Sequence, residues 1–159
     1  MIYTPININD NKQHLLDVFN KHKETDLHQY KIKNVNQEIL GTRDYYEMYF
    51  SFKRGKKYFY ECRGYQYVYM PPNYSMVVHK DISYLKCRLG IMLQGSAPIL
   101  FYDEDHETVI DSYDYTKPVL TDVQVPHNVK NNDEYRLTFF INIEKEYDDM
   151  LGQMTNGNI

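Results

Sequence analysis

Tryptophan is absent from this 159-residue sequence, cysteine occurs only twice, and no apolar run is long enough to cross a bilayer. A membrane-spanning helix needs ~20 consecutive apolar residues, so no membrane span is expected. The opening Met1-Ile2-Tyr3-Thr4-Pro5-Ile6-Asn7 lacks the basic start and apolar run of a secretory signal, and a cytoplasmic location is the expectation. Cys62 and Cys87 show no CxxC spacing, which suits packed thiols in a reducing compartment better than a bridge. Basic blocks are missing too. Lys and Arg number 18 against 22 Asp and Glu, a formal charge of -4, so no stretch tracks a phosphate backbone and nucleic acid is not an expected partner. No internal repeat or low-complexity linker divides the chain, and its length suits one domain over 1–159, because domains usually run ~100–150 residues.

Tyrosine is what abounds: 17 Tyr and 7 Phe favour half-buried pleated surfaces, hence a β-rich fold. Asn9 and Asp10 are N-cap residues, and Leu15, Leu16 and Phe19 follow on one helical face, which predicts an amphipathic helix over 9–24. From Arg43 to Met70 the period becomes strand-like on either side of Arg54-Gly55-Lys56-Lys57, a hairpin signal. Its tyrosines suit either the mouth of a site or the face of a homodimer. Tyr65, Tyr67 and Tyr69 share one face of a further strand, which Pro71-Pro72-Asn73 stops. Short apolar segments then recur: Met76 to Val78, Cys87 to Leu93, Ile99 to Tyr102, Thr108 to Ile110, Val119 to Val125 and Arg136 to Ile143. Turn formers separate them, among them Gly95-Ser96, Asp111 to Asp114 and Asn131-Asn132-Asp133. Many short strands with regular turns predict a jelly roll, a double-stranded β-helix, with the helix packed outside. The tail from Thr155 is expected to fray.

His79-Lys80-Asp81 follows one of these segments, and His127 opens or closes another. Two imidazoles and one carboxylate suit non-haem Fe(II), because they occupy one octahedral face and leave room for a chelating cosubstrate and dioxygen; zinc more often takes a closed tetrahedron. Alone, the HxD spacing is weak, since Asp81 also suits a cap for the turn before Ile82-Ser83. Arg136 adds to it, nine residues after His127 at the head of Arg136-Leu-Thr-Phe-Phe-Ile-Asn-Ile. An arginine entering an apolar interior needs an anionic partner, and the far carboxylate of a dicarboxylic keto acid would take its planar fork. Asp103-Glu104-Asp105-His106 reads instead as an exposed turn, and His14, His22 and His28 as surface residues.

The set His79-x-Asp81, His127 and Arg136, within short strands from Tyr69 to Ile143, resembles the Fe(II)/2-oxoglutarate oxygenases, and this 69–143 core would be the metal-binding jelly roll. Within that family it is similar to the small bacterial and phage prolyl-hydroxylase-like members and to the aspartyl/asparaginyl-hydroxylase-like group, some of which lack the iron carboxylate that Asp81 supplies here. The resemblance implies His79, Asp81 and His127 as iron ligands and hydroxylation of an amino-acid or peptidyl side chain, with 2-oxoglutarate and dioxygen consumed and succinate and carbon dioxide released. It further implies Tyr69 as a partner for the cosubstrate's far carboxylate, and Arg88 as a contact for cosubstrate or an acidic substrate. Two rivals stand beside this reading. One is a cupin-type metalloenzyme without a keto acid, which would usually supply HxH and a later Glu. The other is a non-catalytic jelly roll.

Overall fold

The computed structural model describes residues 1–7, 10, 12–21, 46–50 and 62–155, with backbone only at 46–50 and 62–65. The nine described strands form two antiparallel sheets. The larger carries β1 (Tyr3–Pro5), β7 (Val119–Asp122), β4 (Cys87–Gln94), β9 (Arg136–Ile143), β3 (Cys62–Met70) and β2 (Tyr46–Phe50), in that order. The smaller is β6 (Val109–Tyr113), β5 (Ile99–Tyr102) and β8 (His127–Val129). All pairings are antiparallel. The helices are α1 (12–21) and α2 (Tyr147–Thr155). Two facing sheets with these non-sequential neighbours make the expected jelly roll.

Alternation along the larger sheet sorts its side chains into two layers. Outward, Tyr67, Leu89, Leu137, Phe139 and Ile141 pack under Leu15 and Phe19 of α1 and Met150 and Met154 of α2. Inward, Val68, Met70, Met92 and Val119 meet Ile99, Phe101 and Val129 of the smaller sheet. The same inner face carries Gln66, Arg136, Thr138 and Asn142, all buried. Polar groups are costly in such a place unless they are satisfied or serve a site.

β5 and β9 coincide with the segments read from the sequence, and β2, the first arm of the expected hairpin, pairs with β3, the further strand of Tyr65, Tyr67 and Tyr69. The hairpin's tip, Arg54 to Lys57, its second arm at Tyr58 and Tyr60, and positions 9, 11 and 22–24 of the expected helix lie outside the described residues, and Asp10 is not helical. Three expectations change. Met76 to Val78 is not a strand; its neighbours form the isolated bridges Ser75↔Lys130 and His79↔His127, and Met76 N donates to Val129 O at 3.0 Å. β6 runs on to Tyr113, through part of the expected turn, because polar Asp111 and Ser112 are tolerated on an exposed edge strand. The ninth strand is followed by helix α2, for which the sequence reading gave no element.

Cys62 and Cys87 pair with Ile143 from opposite sides of β9. Two interstrand steps put them roughly 9–10 Å apart, beyond the ~7 Å limit for a disulfide. The Cys87 thiol is buried and donates to the Lys145 carbonyl at 3.3 Å.

Candidate metal centre

His79 and His127 face each other as an antiparallel pair: His79 N donates to His127 O at 3.1 Å, and His127 N to His79 O at 2.9 Å. Directly opposed residues in a ladder project to the same side, and the two ring centroids are 4.7 Å apart. Each Nδ1 lies against the carbonyl two residues back, His79 on Val77 at 2.7 Å and His127 on Val125 at 2.8 Å. A carbonyl only accepts, so each Nδ1 carries the proton and each Nε2 keeps its lone pair.

Both lone pairs point to Asp81, whose Oδ1 is 3.4 Å from His79 Nε2 and 3.8 Å from His127 Nε2. Asp81 N donates to Val123 O at 3.0 Å. Gln124 Nε2 holds the following turn, reaching Leu85 O at 2.6 Å and the carbonyls of Asp81 and Ile82 at 3.3 Å. The carboxylate therefore faces the imidazoles instead of capping that turn.

Electrostatics fit a cation site. Burial holds His127 down at about 4, with the Asp81 charge opposing only in part, so its imidazole is neutral and able to ligate. Burial also lowers His79, but the Asp81 carboxylate and the Val77 carbonyl, which favour its protonated ring, outweigh it and raise the net value. For Asp81, burial pushes upward and is overcome by the Arg88 guanidinium and the two imidazoles, which hold the carboxyl far below the usual range. One donor atom from each of the three residues lies within 4.8 Å of the others. Asp81 Oδ2 is buried without an aligned hydrogen bond and faces the Arg88 guanidinium, which leaves Oδ1 toward the imidazoles.

Beside His79 and His127 opens a cavity of ≈ 460 Å³, counting its mouth, between apolar walls that include Val68, Met70, Ile99 and Phe140. Two arginines reach it. Arg136, 1% exposed, donates from Nε to the Ala97 carbonyl at 3.0 Å, and its guanidinium lies over the Tyr115 ring at 5.3 Å. Gly95 makes this anchorage possible. At φ 91 it turns the chain where a Cβ would meet Tyr135 O at 2.8 Å and Arg136 Cα at 3.0 Å. Arg88 ion-pairs with Asp81 Oδ2 through Nη1 at 3.2 Å, donates from Nε to Asn142 Oδ1 at 2.9 Å, and lies over Phe140 at 5.2 Å.

The fold thus brings His79, Asp81, His127, Arg88 and Arg136 together. Tyr69 goes elsewhere: it points to the outer face, stacked on Tyr135 at 5.3 Å and against Phe19 at 5.6 Å. The tyrosine at the cavity is Tyr115, buried, with the Arg136 guanidinium over its ring. Nothing in the sequence marks it, because it sits in a loop between β6 and β7 with φ 54, outside any periodic pattern. Gln124 falls within the apolar segment Val119 to Val125 but beyond the end of β7 at Asp122, and its polar side chain gives no sign of the turn it holds. Asp103 to His106 form the exposed turn expected, tied to the ligand segment by the Lys80–Glu104 pair at 2.7 Å.

No family model matches the sequence, and no curated protein matches it. Solved structures do. A prolyl-4-hydroxylase from Pseudomonas putida shares the fold with a TM-score of 0.62 at 11% identity, covering 90% of this chain and 91% of that one. An RmlC-like cupin protein from Desulfovibrio desulfuricans has a TM-score of 0.44 at 13% identity, over 63% of this chain and 83% of the other. Oxalate decarboxylase from B. subtilis has a TM-score of 0.45 at 14% identity, over 64% and 26%. At such identities the likeness concerns the fold alone, a jelly roll. Among the described residues, no helix is long and apolar enough to cross a membrane.

Proposed function

We propose that this protein is an Fe(II)- and 2-oxoglutarate-dependent oxygenase that hydroxylates an amino-acid or peptidyl side chain. The observation that carries the reading is the convergence of two proton-fixed imidazoles and one carboxylate on a cavity that also holds a deeply buried arginine.

His79 and His127 would hold the metal through Nε2, and Asp81 through Oδ1. Three protein ligands leave the remaining positions to small molecules. When bound, iron with a chelated keto acid supplies the dioxygen activation that couples release of succinate and carbon dioxide to oxidation of an unactivated C–H bond.

The chain's own contribution is placement. Arg136 is set by its Nε bond to Ala97, and with its guanidinium over the Tyr115 ring it would receive the far carboxylate of the cosubstrate. A planar guanidinium matches a carboxylate in a way a lysine does not. Val68, Met70 and Ile99 keep bulk water from the reacting end.

The test is product formation. Fe(II)-loaded protein with 2-oxoglutarate, ascorbate and a panel of amino acids and peptides is expected to yield succinate, read by NMR, which His79→Ala and Asp81→Ala variants do not. A folded wild-type protein giving no succinate above the metal-free background would contradict the reading.

A further inference from the structure

We propose that Arg88 is a positioning residue acting through Asp81: it reserves Oδ2, so that the carboxylate offers a metal Oδ1 alone, and it keeps the centre electropositive enough to draw in a dianionic ligand. This inference rests on the metal centre proposed above.

The two oxygens of Asp81 face different partners. Oδ1 lies 3.4 and 3.8 Å from the two Nε2 atoms, whereas Oδ2 lies 3.2 Å from Arg88 Nη1. Both side chains are largely withdrawn from solvent, with 8% and 18% of their surface exposed. An ion pair so placed is screened far less than one on the surface.

Arg88 is itself held from two further directions. Its Nε donates to Asn142 on the neighbouring β9, and its plane lies over Phe140. Arg88 and Asn142 are register partners across β4 and β9, so the fork is set by the middle of the larger sheet and not by a loop. A guanidinium fixed in this way can fix the carboxylate in turn.

Charge gives the arrangement its consequence. A divalent ion carries two positive charges, and Asp81 is the single anionic group among its three protein ligands. With Arg88 bonded to that same carboxylate, the anion is shared between two cations. The metal is therefore held less tightly than three ligands alone would hold it, and the cavity, with Arg136 as well, favours an incoming dianion. Removing the Arg88 charge should move the two affinities in opposite directions. General damage to the site would weaken both.

The test measures Fe(II) binding anaerobically by calorimetry, then 2-oxoglutarate binding to the Fe(II)-loaded protein, in wild type, Arg88→Gln, Arg88→Met and Arg88→Lys. The neutral variants are expected to bind Fe(II) more tightly and 2-oxoglutarate at least about tenfold more weakly, the scale on which outer partners of metal ligands act. Arg88→Lys keeps the charge, so both of its affinities should stay near wild type. Glutamine retains hydrogen-bonding capacity toward Asp81 and Asn142, so it reads the charge effect even if the methionine variant does not fold. If the neutral variants lose affinity for both ligands, or change neither, the inference is overturned while the metal centre stands. If wild type binds no Fe(II), the metal centre and the inference fall together.

Discussion

A buried imidazole at His127, a half-buried one at His79 and the Asp81 carboxylate, set among valine and methionine side chains, cost free energy unless each polar atom is answered. Here the answers come from main-chain carbonyls for both Nδ1 atoms and from Arg88 for Asp81. Arg136 has a different task, and its removal should separate from that of the ligands. Arg136→Met is expected to weaken 2-oxoglutarate binding by about 10- to 100-fold, the worth of charge-assisted hydrogen bonds of ~1.5–3 kcal/mol, while Fe(II) affinity is retained. Calorimetry on the two ligands in turn checks this, and normal cosubstrate affinity in the variant would remove Arg136 from its role. A second residue-scale prediction concerns acid. In the metal-free protein His127 is held at about 4, below the ordinary ~6.5 of the unfolded chain. The unfolded state then binds more protons as pH falls, so this contribution to stability is fully present above ~6.5 and is lost down through about 4. His79, shifted upward, works the other way: its contribution is present at low pH and lost as pH rises through its folded value. Replacing only His127 isolates the first effect. Thermal unfolding followed by circular dichroism should show a shallower fall in Tm between pH 7 and pH 4 in His127→Gln than in wild type; equal falls would contradict it.

At the scale of elements, Gly90 sits where β4 passes under two rings. A Cβ there would lie 3.0 Å from both the Phe140 and the Tyr115 side chains. Gly90→Ala is expected to cost about 1–3 kcal/mol through overpacking, and to weaken cosubstrate binding by displacing Tyr115 from Arg136; an unchanged Tm together with unchanged 2-oxoglutarate affinity would show that the rings yield freely. Legibility of the elements followed their physics. β4, β5 and β9 were readable because their inward and outward residues alternate and turn formers bound them. His79, Asp81, His127 and Arg136 were readable because a short spacing and a strand start fix where such side chains begin. Met76 to Val78 looks like a strand because it is apolar, yet its neighbours Ser75 and His79 form only isolated bridges, to Lys130 and His127, and no continuous ladder. Helix α2 does carry Tyr147, Met150 and Met154 at helical spacing, but its polar, acidic opening masks the pattern. Tyr115, Gln124 and Asn142 were not readable, since what brings them to the site is pairing between strands far apart in the chain.

Over the whole molecule the larger sheet separates two jobs. Its outer face is an apolar layer under α1 and α2, and its inner face carries the polar residues of the site. Stability and binding should therefore be separable by mutation. Leu15→Ala, at a position 1% exposed on α1, is expected to cost about 2–5 kcal/mol in chemical denaturation and to leave Fe(II) affinity unchanged; a loss of metal binding in the folded variant would show that the two layers are coupled. The central claim is that the three ligands and the cavity together hold iron and a keto acid. Its most direct test is an anaerobic titration of the metal-free protein with Fe(II) and 2-oxoglutarate, watching for the weak visible charge-transfer band of the chelated pair. The account predicts the band in wild type and its loss in His79→Ala; a folded wild-type protein that shows no band would contradict it.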